Sequence, residues 1–391
     1  MLITVFIGLL FAVSLISARL EKSVVTAPMT FTLAGILVHP AFPLSETNLD
    51  ADVFLTLAEI GLVLLLFTDA SRTDLKRLKS IRELPARLLS VGMLLTIGLG
   101  MLAAKLVFPG LSIWEAGILS AILAPTDAGL GQVIVKSPLV PARLREALNV
   151  EAGLNDGLSV PFLLFFIAMA AAGEGEPSFV RFLGGQLGLG IAVGAAIGFI
   201  GGAMLDIAQR GGWMAASFLQ LAVVALPVFC LIASGPVGAS MFIAAFTAGL
   251  FVQVRFKHAG KHSVEFTEDW GQILNLSVFF MFGLLIARDH QLLTVASFLY
   301  ALLSLTIVRM LPVAISLAGS GLRKESIAFM GWFGPRGLAS IVLGLVYLEQ
   351  EKHLPGEQLT RLAVMATVLL SIFAHGISAQ PGIRLHARLT G

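Results

Sequence analysis

Charge is what this sequence has least of. Asp, Glu, Lys and Arg make up 13% of its 391 residues, about half the share usual in a soluble domain. Hydrophobic residues fill 57% and mean hydropathy is +0.91, so a water-soluble globular fold is not expected. Cysteine is nearly absent. Cys230 stands alone, so no intramolecular disulfide can form and redox compartment is not encoded. The seven histidines are scattered and none repeats at a metal-ligand spacing. Neither a resident metal nor any other cofactor is expected. No phosphate-binding loop occurs, and no nucleophile and base are recognisably paired, which argues against ATP-driven chemistry and against an enzyme. The net charge of +2 reflects basic loops, and nothing in it calls for nucleic acid as a partner.

What fills the chain is apolar sequence. Stretches of about 17 to 28 residues recur, each long enough to cross a hydrocarbon core of roughly 30 Å as a helix. Strand-like alternation is missing from them, so helices rather than a β-barrel must satisfy the backbone in a lipid bilayer. The spacing predicts an all-α membrane protein with thirteen spans: 2–18, 24–38, 53–70, 87–108, 112–135, 145–172, 181–207, 213–233, 236–253, 269–287, 292–319, 325–349 and 360–379. The first run has no basic residues ahead of it and no cleavage pattern behind it, and reads as a retained helix.

The basic residues sort sharply between the two sides that this numbering creates. Of 26 Lys and Arg, nineteen follow odd-numbered spans or lie in the C-terminus, while Lys105, Arg181, Arg288, Lys352 and Arg361 lie opposite. Arg309 and Arg336 complete the set from within spans. Positive-inside places the N-terminus outside and the C-terminus in the cytoplasm of a cell membrane.

Two spans carry a break. The fifth contains Ala124-Pro125-Thr126-Asp127-Ala128-Gly129, and the twelfth Gly334-Pro335-Arg336-Gly337. Proline removes a backbone donor and crowds the preceding turn, and glycine lets the chain unwind, so both helices should be discontinuous. Each is the fifth of a six-helix half if span seven is a linker. Halves so related are inverted repeats, the pattern of secondary transporters with a site at the midplane.

An ionisable side chain at a helix centre costs about 2.5 to 3.5 kcal/mol on insertion scales, so each one needs a reason. In the sixth span Glu151 and Asn155 share a face, and Ala152 lies one turn from Asp156. A carboxylate in dry surroundings must hold a proton, a cation or a basic partner, so Asp156 is suited to carry a proton or a bare monovalent cation in turn. Glu151 is expected to pair with Arg336 beside the second break. Arg309 either compensates Asp156 or caps a half-helix. At the first break Thr126 and Asp127 offer oxygens, and Asp127 can alternatively neutralise half-helix ends. Asp69 has two readings, a site group or a solvated interfacial acid. His375 and Gln220 are single polar groups expected to hydrogen-bond between helices.

These residues resemble the sodium/proton exchanger family of the monovalent cation:proton antiporters, in its prokaryotic branch with an Asn-Asp pair. Phe67-Thr68-Asp69, Ala124-Pro125-Thr126-Asp127, Glu151 through Asp156, Arg309 and Gly334-Pro335-Arg336-Gly337 follow in family order. The resemblance implies that Asp156 and Thr126 hold the metal cation, with Asn155 the neutral member of the pair, Glu151 bound to Arg336, and Arg309 facing the site. It implies sodium, lithium or potassium and the proton as substrates, electroneutral exchange, and a homodimer. The dimerisation part would be residues 1–86 and 208–290, the ion-transport core 87–180 and 291–380, and residues 181–207 a linker helix. Two departures stand out: Ala152 where the family often has Ser, and Asp69 where it frequently has Glu. Both imply weaker or altered cation selectivity. Alternatives are potassium as the cargo or, in another class, a cation channel or an organic-anion symporter.

Overall fold

The computed structural model describes residues 2–20, 23–41, 51–72, 83–127, 129–171, 179–256, 261–348 and 353–390. Among the described residues there are helices and no strands. In chain order they are α1 (Leu2–Leu20), α2 (Ala27–Val38), α3 (Ala51–Arg72), α4 (Glu83–Val107, with a π turn at Leu88–Gly92), α5 (Ile113–Ile122), α6 (Gln132–Lys136), α7 (Ala142–Ala171) and α8 (Phe179–Arg210). There follow α9 (Ala216–Ser234), α10 (Met241–Arg255), α11 (Lys261–Asp289), α12 (Val295–Leu305), α13 (Ile307–Ser316), α14 (Lys324–Trp332), α15 (Leu338–Leu348) and α16 (Glu357–Thr390).

Among the described residues, eight segments are long and apolar enough to cross a membrane, and α2, α5, α10 and α15 are shorter apolar helices. Local signals set several starts. Pro28 falls in the first turn of α2, where no donor is missed, behind the Thr26 side chain that accepts from Met29 N. Ser112 and Glu115 close a capping box at α5.

The expected interruptions are present. The fifth span runs as α5, an irregular segment and α6, and the twelfth as α14, an irregular segment from Phe333 to Gly337, and α15. Two further features depart from expectation. The eleventh span divides at Thr306 (φ −107°, ψ −91°), whose hydroxyl donates to Leu302 O at 2.6 Å and competes with the helical ladder. The last span does not stop at 379. Helix α16 continues through Pro381 to Thr390, because Ala379 and Ile383 pack into a buried cluster with Phe329, Met330 and Phe333.

The chain forms two compact units. The first comprises 1–55, 81–155 and 276–391, and the second 56–80 and 156–275. In the first, α2 meets the C-terminal part of α11 with backbone against backbone: a Cβ at Gly35 would strike Phe280 O, and one at Gly283 would strike Thr32 O. In the second, α8 and α10 form the same kind of seam. Gly194, Gly198 and Gly202 recur every four residues along α8 and lie against the backbone of Ala244, Ala248 and Val252. The carbonyl of Phe67 on α3 abuts Gly249 of α10 likewise, and Gln253 donates to Ala70 O at 2.7 Å.

Candidate functional site

Breaking a helix frees backbone groups, and in lipid each must find a partner. In the first unit the two breaks satisfy one another. Asp127 N donates to Pro335 O at 2.8 Å. One Asp127 carboxylate oxygen accepts from Leu338 N (2.6 Å), and the other from Gly129 N (2.6 Å) and Leu130 N (3.1 Å). The Asp127 carboxyl thus caps the N-terminus of α15, the end at which a helix dipole favours an acidic group. In the opposite sense Arg336, fully buried, donates from Nη1 to Ala124 O (2.6 Å) and Pro125 O (2.9 Å), the carbonyls freed beyond α5. The glycines make room: a Cβ at Gly337 would overlap the Asp127 carboxylate, and one at Gly334 the Arg309 guanidinium.

Glu151 does not pair with Arg336. It forms a two-point bridge with Arg309 of α13, Nη1 to Oε1 at 2.5 Å and Nη2 to Oε2 at 2.9 Å, with side chains 3% and 5% exposed. Arg336 directs Nη1 to main-chain carbonyls, and the planar fork of Arg309 matches the carboxylate edge.

Beside the first break, Asn155 Nδ2 donates to Thr126 Oγ1 at 2.8 Å, both residues being buried. Asn155 Oδ1 is buried and accepts no hydrogen bond from the protein. A cavity of about 20 Å³, lined by Thr126, Asp127, Leu148, Ala152, Phe333 and Pro335, adjoins the break. By the usual measure that volume holds one water-sized occupant, which needs roughly 10–15 Å³. Ala152 presents a methyl group to it. The first unit therefore gathers Thr126, Asp127, Asn155, Glu151, Arg309, Arg336 and the break residues Pro125, Gly129, Gly334, Pro335 and Gly337.

Asp156 is the next residue of α7 after Asn155 and the first of the second unit; it is half-buried, and its carbonyl accepts from Ser159 Oγ at 2.9 Å. Asp69 is half-buried near the end of α3, in the second unit, beside buried Thr68 and Ala70. The charged residues that follow it, Asp74, Lys76 and Arg77, lie outside the described residues. Sequence reasoning missed Ser371. Its hydroxyl accepts from Arg336 N at 2.7 Å, and His375, expected to bond between helices, reaches Trp332 O at 2.8 Å. The signal was available: Ser371, His375 and Ser378 fall at i, i+4 and i+7 on one face of an apolar helix.

The family model described as sodium/hydrogen exchanger, transmembrane, matches residues 2–384. Among curated relatives, a K(+)/H(+) antiporter NhaP from Alkalimonas amylolytica is 25% identical over 386 residues, covering 97% of this chain and 66% of its own length. The chain spans just under two thirds of the length of that relative. The uncharacterized Na(+)/H(+) exchanger YjcE from Escherichia coli is 27% identical over 231 residues, 57% of this chain and 40% of its own. Among solved structures, the sodium proton antiporter MjNhaP1 from Methanocaldococcus jannaschii superposes with a TM-score of 0.80 at 19% identity, with 100% of both chains covered. That likeness is one of fold.

Proposed function

The chain belongs to the sodium/hydrogen exchanger family, a family of monovalent cation/proton antiporters, and we propose that it exchanges sodium for protons by alternating access, with both competing for the carboxylate of Asp156. The observation that carries this reading is the pair of interlocked helix breaks beside Thr126 and Asn155. They leave a buried amide oxygen, Asn155 Oδ1, with no protein donor, one residue before Asp156 in α7. A hard, neutral oxygen of this kind suits a partly dehydrated monovalent cation. In the proposal Asp156 carries the charge, Asn155 and Thr126 lend oxygens, and Asp127 and Asp69 complete the polar pathway. The Glu151–Arg309 bridge keeps two further charges neutral and out of the exchange.

The same proposal extends to the finer architecture: thirteen spans in two inverted halves, a homodimer in the cell membrane with its N-terminus outside, and a core of residues 87–180 and 291–380 moving against the rest. The periodic basic loops and the matching positions of the two breaks support it. Exchange is one cation for one proton, as an Asn-Asp pair implies. Potassium is the second reading, favoured by the names of relatives such as NhaP of Alkalimonas amylolytica.

The test is proton flux in proteoliposomes carrying a pH-sensitive dye, with sodium, lithium and potassium added in turn. Sodium and lithium should each collapse an imposed pH gradient, and Asp156→Asn should abolish the response to all three ions while the protein still folds. An Asp156→Asn protein that exchanges normally would remove the proposal, and a response to potassium alone would select the second reading.

A further inference from the structure

The second break is held from outside by a helix that contributes nothing to the ion pathway proposed above. Trp332 is the last helical residue of α14, and Arg336 precedes the restart of the helix by two residues. Both are gripped by one turn of α16. His375 Nε2 lies 2.8 Å from Trp332 O, and Ser371 Oγ accepts from Arg336 N at 2.7 Å. Between the two grips, Ser371 Oγ and His375 Nδ1 are 3.2 Å apart.

One proton direction is fixed by its partner. Trp332 O can only accept, so Nε2 carries hydrogen. Ser371 Oγ receives the Arg336 amide and has its own proton left for Nδ1. Ser371 O also lies 3.0 Å from Nδ1, so that nitrogen has two oxygen neighbours on the same residue. His375 is 2% exposed and stacks on the Trp332 indole with ring centroids 5.0 Å apart, while Trp332 Nε1 donates to Ser378 Oγ at 2.9 Å. The Phe333 ring approaches the same imidazole edge-on at 6.5 Å.

We propose that Ser371 and His375 are positioning residues: a two-point brace that sets the length and direction of the 333–337 break, and through it the place of Asp127 and of the Ala124 and Pro125 carbonyls. The route is short. Pro335 O holds the Asp127 amide, Leu338 N holds its carboxylate, and Arg336 Nη1 holds the two carbonyls. A brace that slackens would let all of these shift without touching the cation. For its effect on transport the inference rests on the antiport reading; for its effect on the break it does not.

The experiment uses the full chain in lipid nanodiscs and proteoliposomes, with His375→Leu, His375→Gln and Ser371→Ala. Amide hydrogen exchange across 333–340 should quicken by about tenfold or more in His375→Leu and Ser371→Ala, since each loses one of two anchoring hydrogen bonds to the break, while exchange in α8 stays unchanged. The apparent KM for the cation should rise roughly tenfold with kcat altered less. His375→Gln, whose amide nitrogen can reach the Trp332 carbonyl, should recover most of both. Unchanged exchange at the break in both disruptive variants would overturn the brace. So would quickened exchange with an unaltered KM in a protein that transports. If the native chain moves no cation, the antiport reading fails, and amide exchange alone still decides whether the brace exists.

Discussion

Glu151 and Arg309 show what a residue inside a bilayer costs when its partner is lost. Their bridge is bidentate and nearly sealed from solvent. Truncating one member of such a pair strands the other, at about 3 to 5 kcal/mol, whereas replacing both with apolar groups is often close to neutral. Glu151→Gln should therefore lower thermal stability in lipid nanodiscs by several kcal/mol, and Glu151→Gln combined with Arg309→Met should recover most of it. Equal losses in the single and double variants would show that the bridge is not what stabilises. At this scale the sequence exposed the charges but misassigned the partners. Arg336, the basic residue beside the second break, reads as the mate of Glu151, yet its acceptors are the carbonyls of Ala124 and Pro125. Main-chain oxygens leave no mark in a sequence. Nor did Ser371 stand out, since serine is common in membrane helices and becomes informative only with His375 and Ser378 on the same face.

At the scale of elements, two glycines near the second break differ in what surrounds them. Gly337 has no room for a methyl group because the Asp127 carboxylate occupies that space, while Gly344 within α15 meets only the Val364 side chain at an ordinary 3.6 Å. Gly337→Ala should abolish or strongly reduce exchange in proteoliposomes by displacing Asp127 from the start of α15. Gly344→Ala should leave transport intact and raise stability by up to about 1 kcal/mol, the usual gain of alanine over glycine within a helix. If Gly337→Ala transports normally, Asp127 is not held as tightly as its three backbone bonds imply. Both breaks were legible from Pro and Gly in apolar runs. The division at Thr306 was not, because it arises from a hydroxyl folding back on Leu302. The extension of α16 past Pro381 was hidden too, because the residues that hold it, Phe329 to Phe333, lie about fifty positions earlier.

For the whole molecule, the proposed stoichiometry has a consequence that no single residue carries. A transmembrane potential acts on net charge at about 2.3 kcal/mol per elementary charge per 100 mV, so one-for-one exchange of a cation for a proton should not feel it. Initial rates in proteoliposomes should stay within about twofold whether a valinomycin potential is imposed inside-negative, inside-positive or not at all. A rate that follows the imposed potential would show a second charge moving. Membrane residence was readable from composition and hydropathy, because lipid constrains a chain more severely than water does, and the order of the motifs from the family resemblance. Cation identity was not, since it depends on how many oxygens converge and at what radius.

The glycine seam between α8 and α10 limits how this chain can change shape. Two rods whose main chains touch at successive turns cannot twist or slide past each other without first lifting apart, so the pair should travel as one piece. Of the three irregular joints, those at Pro125 and Pro335 are tied to each other by hydrogen bonds, so in the proposed exchange bending would fall first on the joint at Thr306.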